Sequence, residues 1–149
     1  MKARYRHTNI VSKDWEALAR FYENVFGCVR VPPARDYTGS WLERGTGVLG
    51  AHIRGSHLRL PGVGEDGPTL EIFQYDQNLP KADADANREG LAHLAFEVDD
   101  VEGALALVLE HGGKTLGEVV SRDVEGIGRI IFVYATDPEG NIIELLKWE

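Results

Sequence analysis

Apolar residues recur at three-to-four spacing along two stretches of this chain and at alternate positions along much of the rest. Trp15, Leu18, Tyr22 and Val25 mark one helical stripe, and Val101, Leu105 and Val108 mark a second. An Asp precedes each stripe, at 14 and 100, where a short carboxylate satisfies the first free N–H groups of a helix. A Gly follows each, at 27 and 113, where helices end. GAHIRGSHLRL, PTLEIFQYD, KTLGEVVSR, GRIIFVYATD and NIIELLKW read as strands, and SWLERG as a further short one. PGVGEDG and DPEG, rich in Gly, Pro and Asp, are turns.

These elements repeat. Residues 7–27 align with residues 93–113 without a gap, so that His7 falls on His93, Asp14 on Asp100 and Gly27 on Gly113. Each half reads β-α-β-β-β. The prediction is an α+β chain with one domain, 1–149, made of two βαβββ modules, 5–75 and 91–148, joined by the polar, Pro-containing linker 76–90.

One strand breaks its apolar pattern. In NIIELLKW, Glu144 shares a face with Ile142 and Leu146, while Ile143 and Leu145 cover the other side. An unpaired buried carboxylate is costly, so this one requires a partner or an ion. Glu71 in TLEIF repeats the feature, and each half opens on a strand histidine, His7 or His93. Two imidazoles and two carboxylates, one of each per module, form a candidate divalent metal site if the modules pack about a pseudo-twofold axis. Nitrogen and oxygen donors without thiolate suit Zn, Ni, Co, Mn or Fe, and the ion's charge would offset both carboxylates. A single strand histidine is ordinarily a hydrogen-bonded core residue; the matched recurrence favours ligation. His52 and His57 have no counterpart in the second half. His57 reads as ordinary surface or core, and His52 with Arg54, two apart on one face, as a candidate substrate-lining pair. His111 sits where a cation favours the end of a helix.

Composition narrows the function classes. A formal net charge of −8 argues against nucleic acid or an anionic membrane surface as partner. No apolar run approaches the roughly 20 residues of a membrane span, and MKARYRHTNI lacks the apolar stretch of a secretory signal, so a cytoplasmic location is expected. The one cysteine, Cys28, excludes an internal disulfide and reads as a small packing residue.

HTNIVSKDWEALARFYENVFG, HLAFEV and DPEGNIIELL together resemble the vicinal oxygen chelate superfamily, which includes glyoxalase I, methylmalonyl-CoA epimerase, extradiol dioxygenases and fosfomycin-resistance and bleomycin-binding proteins. The resemblance spans both halves and is closest in pattern to methylmalonyl-CoA epimerase and glyoxalase I. It implies paired modules forming a cupped, mixed, mostly antiparallel sheet around a metal held by His7, Glu71, His93 and Glu144. It also implies Glu144 as the catalytic base, Glu43 as a weak candidate for a second base, and a homodimer. Extradiol dioxygenases resemble this pattern but use two His and one carboxylate. Glu71 fills the position they leave free, which favours proton transfer over oxygen chemistry. Glutathione-using members carry an Arg four residues after the first ligand; here that residue is Val11, more like the epimerases. An acyl-CoA would want cations, and Arg35, Arg44, Arg54 and Arg59 are available. The expectation is a metal-dependent isomerase or lyase enolising a small oxygenated substrate. The alternatives are an Fe(II) extradiol-type dioxygenase and a small-molecule binding or resistance protein without turnover.

Overall fold

In the computed structural model, which describes all 149 residues, the chain divides into two compact units, Met1–Pro80 and Lys81–Glu149. The first runs β1 (His7–Val11), α1 (Trp15–Phe26), β2 (Val29–Thr38), α2 (Ser40–Thr46), β3 (His52–Arg59) and β4 (Thr69–Tyr75). Its strands lie in the order β1-β4-β3-β2, with β1 parallel to β4 and the other pairs antiparallel. The second runs β5 (His93–Glu97), α3 (Val101–Glu110), β6 (Lys114–Thr115), β7 (Val120–Val124), β8 (Gly128–Thr136) and β9 (Ile142–Trp148). Its order is β5-β9-β8-β6, with β7 also paired to β8 and β5 parallel to β9. The fold is thus α+β, and both units place their first strand beside their last.

The sequence dictates which sheet face each helix covers. Asp14 Oδ1 accepts the Ala17 N–H at 3.0 Å to start α1, and Gly27 ends it in the left-handed region, φ 66°. The helix buries Leu18, Ala19, Phe21 and Tyr22 and packs on β3 and β4, where Leu58, Leu70 and Ile72 are fully buried. Each such large apolar side chain contributes about 2 kcal/mol relative to exposure. Cys28, buried just beyond α1, has its thiol pushed up to about 11 by burial and by the nearby Glu23 charge. In the second unit Asp100 Oδ1 accepts the Gly103 N–H at 3.0 Å. There α3 packs on β8 and β9, whose Val133, Ala135, Ile143 and Leu145 are fully buried. Because strand residues alternate, Glu71 is turned to the sheet face opposite α1 and Glu144 to the face opposite α3.

Four local readings change: KTLGEVVSR is not one strand but splits into the short β6 and the separate β7, both antiparallel to β8. SWLERG forms helix α2 instead of a strand; it buries Leu42 against Ala51 and Ile53 and ends on Gly47, φ 72°. VRVPPARDYT is a strand that the sequence hid, because Pro32 and Pro33 lack N–H donors. They are tolerated on the edge strand β2, where the register shifts between Val31 and Arg35. The end of α3 also differs from that of α1. His111 is its C-cap, with Nδ1 donating to the Leu107 carbonyl at 2.9 Å, and the left-handed glycine is Gly112, φ 89°. Gly113 serves close packing instead: a Cβ there would meet the Thr136 carbonyl oxygen at 2.4 Å.

The DPEGN turn sets up β9. Asp137, 1% exposed, accepts the N–H groups of Glu139 and Asn141 on Oδ1, both at 2.9 Å, and the Asn141 side-chain amide on Oδ2 at 2.7 Å. Gly140 takes φ 79°. No helix is long and apolar enough to cross a membrane.

Candidate metal centre

The parallel pairing of first and last strands brings each histidine to its carboxylate. In β1–β4, His7 is in register with Thr69 and Asn9 with Glu71. In β5–β9, His93 is in register with Ile142 and Ala95 with Glu144. The offsets match, and the outcome is the same: His7 Nε2 lies 3.2 Å from Glu71 Oε2, and His93 Nε2 lies 3.2 Å from Glu144 Oε2. The carboxylate is mostly buried in both pairs and the imidazole is the more open partner.

These distances test the fit of an ion. Donors on neighbouring corners of an octahedron with bonds of about 2.1 Å stand about 3 Å apart. One imidazole nitrogen and one carboxylate oxygen in each unit therefore have the chemistry and spacing of adjacent ligands. Within either unit no group of three or more His, Cys, Asp or Glu side chains is placed to hold an ion; each supplies a pair.

The surroundings of the two carboxylates differ. Glu71 is flanked on three sides: His7 approaches Oε2, Asn9 Nδ2 donates to Oε2 at 3.3 Å, and His57 Nε2 lies 2.8 Å from Oε1. His57 stands directly across the antiparallel ladder from Glu71, and its Nδ1 lies 3.1 Å from Thr69 Oγ1. Burial pushes His57 below the ordinary histidine value, against the raising effect of the Glu71 charge. Glu144 has His93 as its side-chain ion-pair partner. The His93 ring is in turn covered by Tyr134, centroids 4.9 Å apart.

The remaining candidates lie elsewhere. His52 and Arg54 alternate with His57 on β3 and point to the sheet face opposite Glu71. There His52 bridges two carboxylates, Nε2 to Asp36 Oδ1 at 2.7 Å and Nδ1 to Asp76 Oδ2 at 2.8 Å. Arg54 Nη2 donates to Asp76 Oδ1 at 2.6 Å. Since carboxylates only accept, both ring nitrogens must carry protons. The hydrogen bonds to Asp36 and then Asp76 accordingly raise the His52 pKa, and the bond from His52 lowers that of Asp76. Glu43 Oε1 accepts the Gly50 N–H at 2.8 Å, closing the loop between α2 and β3. Arg35 and Arg59 do share the Glu71 face, being in register with Gly55 and Thr69. Arg35 Nη1 and Arg59 Nε are buried without hydrogen-bond partners.

His57 is the neighbour that sequence reasoning missed. The one signal for it is the β3–β4 register, set through residues 60–68, whose length leaves the pairing unreadable in advance.

Comparison with known proteins agrees with this architecture. The family model for the Glyoxalase/Bleomycin resistance protein/Dioxygenase superfamily matches residues 4–145. A glyoxalase family protein from Bacillus cereus is similar at TM-score 0.74 and 20% identity, over 99% of this chain and 94% of that one. A glyoxylase/bleomycin resistance protein/dioxygenase domain from Frankia sp. gives 0.57 and 18%, over all of both chains. A fosfomycin resistance protein from Listeria monocytogenes gives 0.61 and 17%, over 97% and 93%. No curated protein matches the sequence.

Proposed function

Because the chain belongs to the glyoxalase/bleomycin resistance protein/dioxygenase superfamily, we propose that it is a metal-dependent isomerase or lyase that moves a proton next to a carbonyl of a small oxygenated substrate. His7, Glu71, His93 and Glu144 are the ligands in this reading, one imidazole and one carboxylate from each unit. A bound divalent ion would supply Lewis acidity at the substrate carbonyl and so acidify the neighbouring C–H bond.

The observation that carries the reading is the contrast between the two carboxylates. A general base changes partners during turnover, and Glu144, ion-paired to His93 alone, does so at less cost than Glu71 with three side-chain partners. Glu144 takes the proton onto a carboxylate oxygen, the C–H electron pair moves onto the carbonyl, and the new O–H exchanges with solvent water before it returns a proton to product. His93 and Glu71 stay in place. Arg35 and Arg59, whose buried guanidinium nitrogens lack partners, favour a substrate with an anionic arm.

Isotope exchange tests this. Protein loaded with Ni²⁺ and incubated in D₂O with branched acyl thioesters is expected to wash deuterium into the carbon next to the carbonyl. Glu144→Gln, which still offers an oxygen ligand, is expected to exchange roughly 100-fold more slowly or worse. Exchange at the wild-type rate in metal-loaded Glu144→Gln would return the base to Glu71 or Glu43, since both His52 ring nitrogens are bound to carboxylates on the other sheet face. Oxygen uptake with a catechol and Fe(II), without exchange, would replace the reading with a dioxygenase. Metal binding with neither reaction would leave a binding or resistance protein. The working assembly in this proposal is a homodimer, and sedimentation as a monomer at micromolar concentration would reject it.

A further inference from the structure

His57 has no role in the ligand set and no counterpart in the second unit, yet it makes the shorter of the two imidazole contacts to Glu71. Its Nε2 stands 2.8 Å from Oε1, against 3.2 Å from His7 Nε2 to Oε2. The two rings meet edge to face, centroids 6.0 Å apart, so each attends a different oxygen of one carboxylate. The placement follows from the ladder, where His57 and Glu71 are direct cross-strand partners on the face opposite α1. The ring is held at both ends. A carboxylate only accepts, so the proton belongs on Nε2, facing Oε1; Nδ1 then accepts from the Thr69 hydroxyl at 3.1 Å. Phe73 packs its ring edge-on at 5.9 Å. Thr69, Glu71 and Phe73 are alternate residues of β4, so one strand supplies the carboxylate, the anchor for the His57 ring and part of its packing.

We infer that His57 is a positioning residue for Glu71: it occupies Oε1 and so turns Oε2, which the Asn9 amide also holds at 3.3 Å, toward His7 as the ligand oxygen. The inference rests on the metal reading proposed above and assigns its outer support. A ligand carboxylate that is free to rotate loses ordering entropy on each binding event, and fixing it beforehand raises affinity. Across β8–β9 the position opposite Glu144 is Tyr134, which leaves Glu144 without such a hold. The first unit thus gives its carboxylate a second imidazole partner that the carboxylate of the second unit lacks.

The test is calorimetric titration of the full-length apo protein with Ni²⁺. His57→Ala is expected to bind roughly 10- to 100-fold more weakly than wild type, with an unchanged circular dichroism spectrum. His57→Gln, whose amide can still donate to Oε1, is expected to recover most of the loss, which a residue needed only for packing would not show. Thr69→Val frees Nδ1 without touching the carboxylate and is expected to weaken binding several-fold; it decides the matter if His57→Ala does not fold. Affinities for His57→Ala, or failing that Thr69→Val, within twofold of wild type would overturn the role of His57 while leaving the metal site standing. A wild-type protein that takes up no Ni²⁺ would overturn the metal reading itself, and this inference with it.

Discussion

Tyr134 stands directly across the β8–β9 ladder from Glu144, yet its ring lies on His93, with centroids 4.9 Å apart and planes inclined at 38°. The tyrosine therefore supports the imidazole of its unit, through its ring face and not its hydroxyl. Tyr134→Phe is expected to leave Ni²⁺ affinity within about twofold of wild type. Tyr134→Ala, which uncovers the imidazole, is expected to lower it on the order of 10-fold, both read by calorimetry.

Metal should also appear in stability. An ion that binds only the folded chain stabilises it by mass action, about 2.7 kcal/mol at one hundred times its dissociation constant. Differential scanning calorimetry is expected to show a rise in Tm with added Ni²⁺. His93→Ala removes the imidazole paired with Glu144, one of the proposed ligands, and should abolish most of the rise.

The Asp36–His52–Asp76–Arg54 brace gives a pH signature independent of the candidate metal centre. The folded pKa of His52 is raised from 6.5, so its contribution is full below that value and is lost as pH rises through the raised one. The folded pKa of Asp76 is lowered from 3.8, so its contribution is full above that value and is lost as pH falls through the lowered one. The brace is therefore complete between pH 3.8 and 6.5. The Tm difference between wild type and His52→Asn should be greatest in that window and shrink toward pH 9. A difference that grows with pH would contradict the charged, doubly bridged imidazole.

Two backbone devices predict losses of stability. Asp137→Ala removes three hydrogen bonds from a residue only 1% exposed. It should cost about 3 kcal/mol in urea unfolding. Gly55→Ala would drive a Cβ to 2.1 Å from the Ile72 carbonyl oxygen and 2.4 Å from the Phe73 ring. Backbone cannot step aside there, and a loss of about 3 kcal/mol is expected.

Much of this arrangement was legible because it depends on local pattern. The aligned His, Asp and Gly positions announced two copies of one βα unit, and alternation alone turned Glu71 and Glu144 to the faces opposite α1 and α3. What stayed hidden depends on register and edges. His57 meets Glu71 only once β3 and β4 are paired; nothing local distinguishes it from His52, five residues earlier in the same strand and on the other face. Strand β2 was masked by its two prolines, which an edge tolerates and a central strand does not. Helix α2 rests on one buried side chain, Leu42, too little for a periodic signal.

The pairing of first strand with last has a kinetic consequence. Asn9 and Glu71 are 62 residues apart in the chain, so the β1–β4 ladder closes the longest loop in its unit, whereas β3 and β4 can zip from a neighbouring turn. Closing long loops is entropically slow, and parallel strands cannot nucleate through a hairpin. The histidine therefore reaches its carboxylate only when the module is nearly complete. An ion gripping that pair would engage after the rate-limiting barrier, so it should leave the refolding rate almost untouched and appear as slower unfolding.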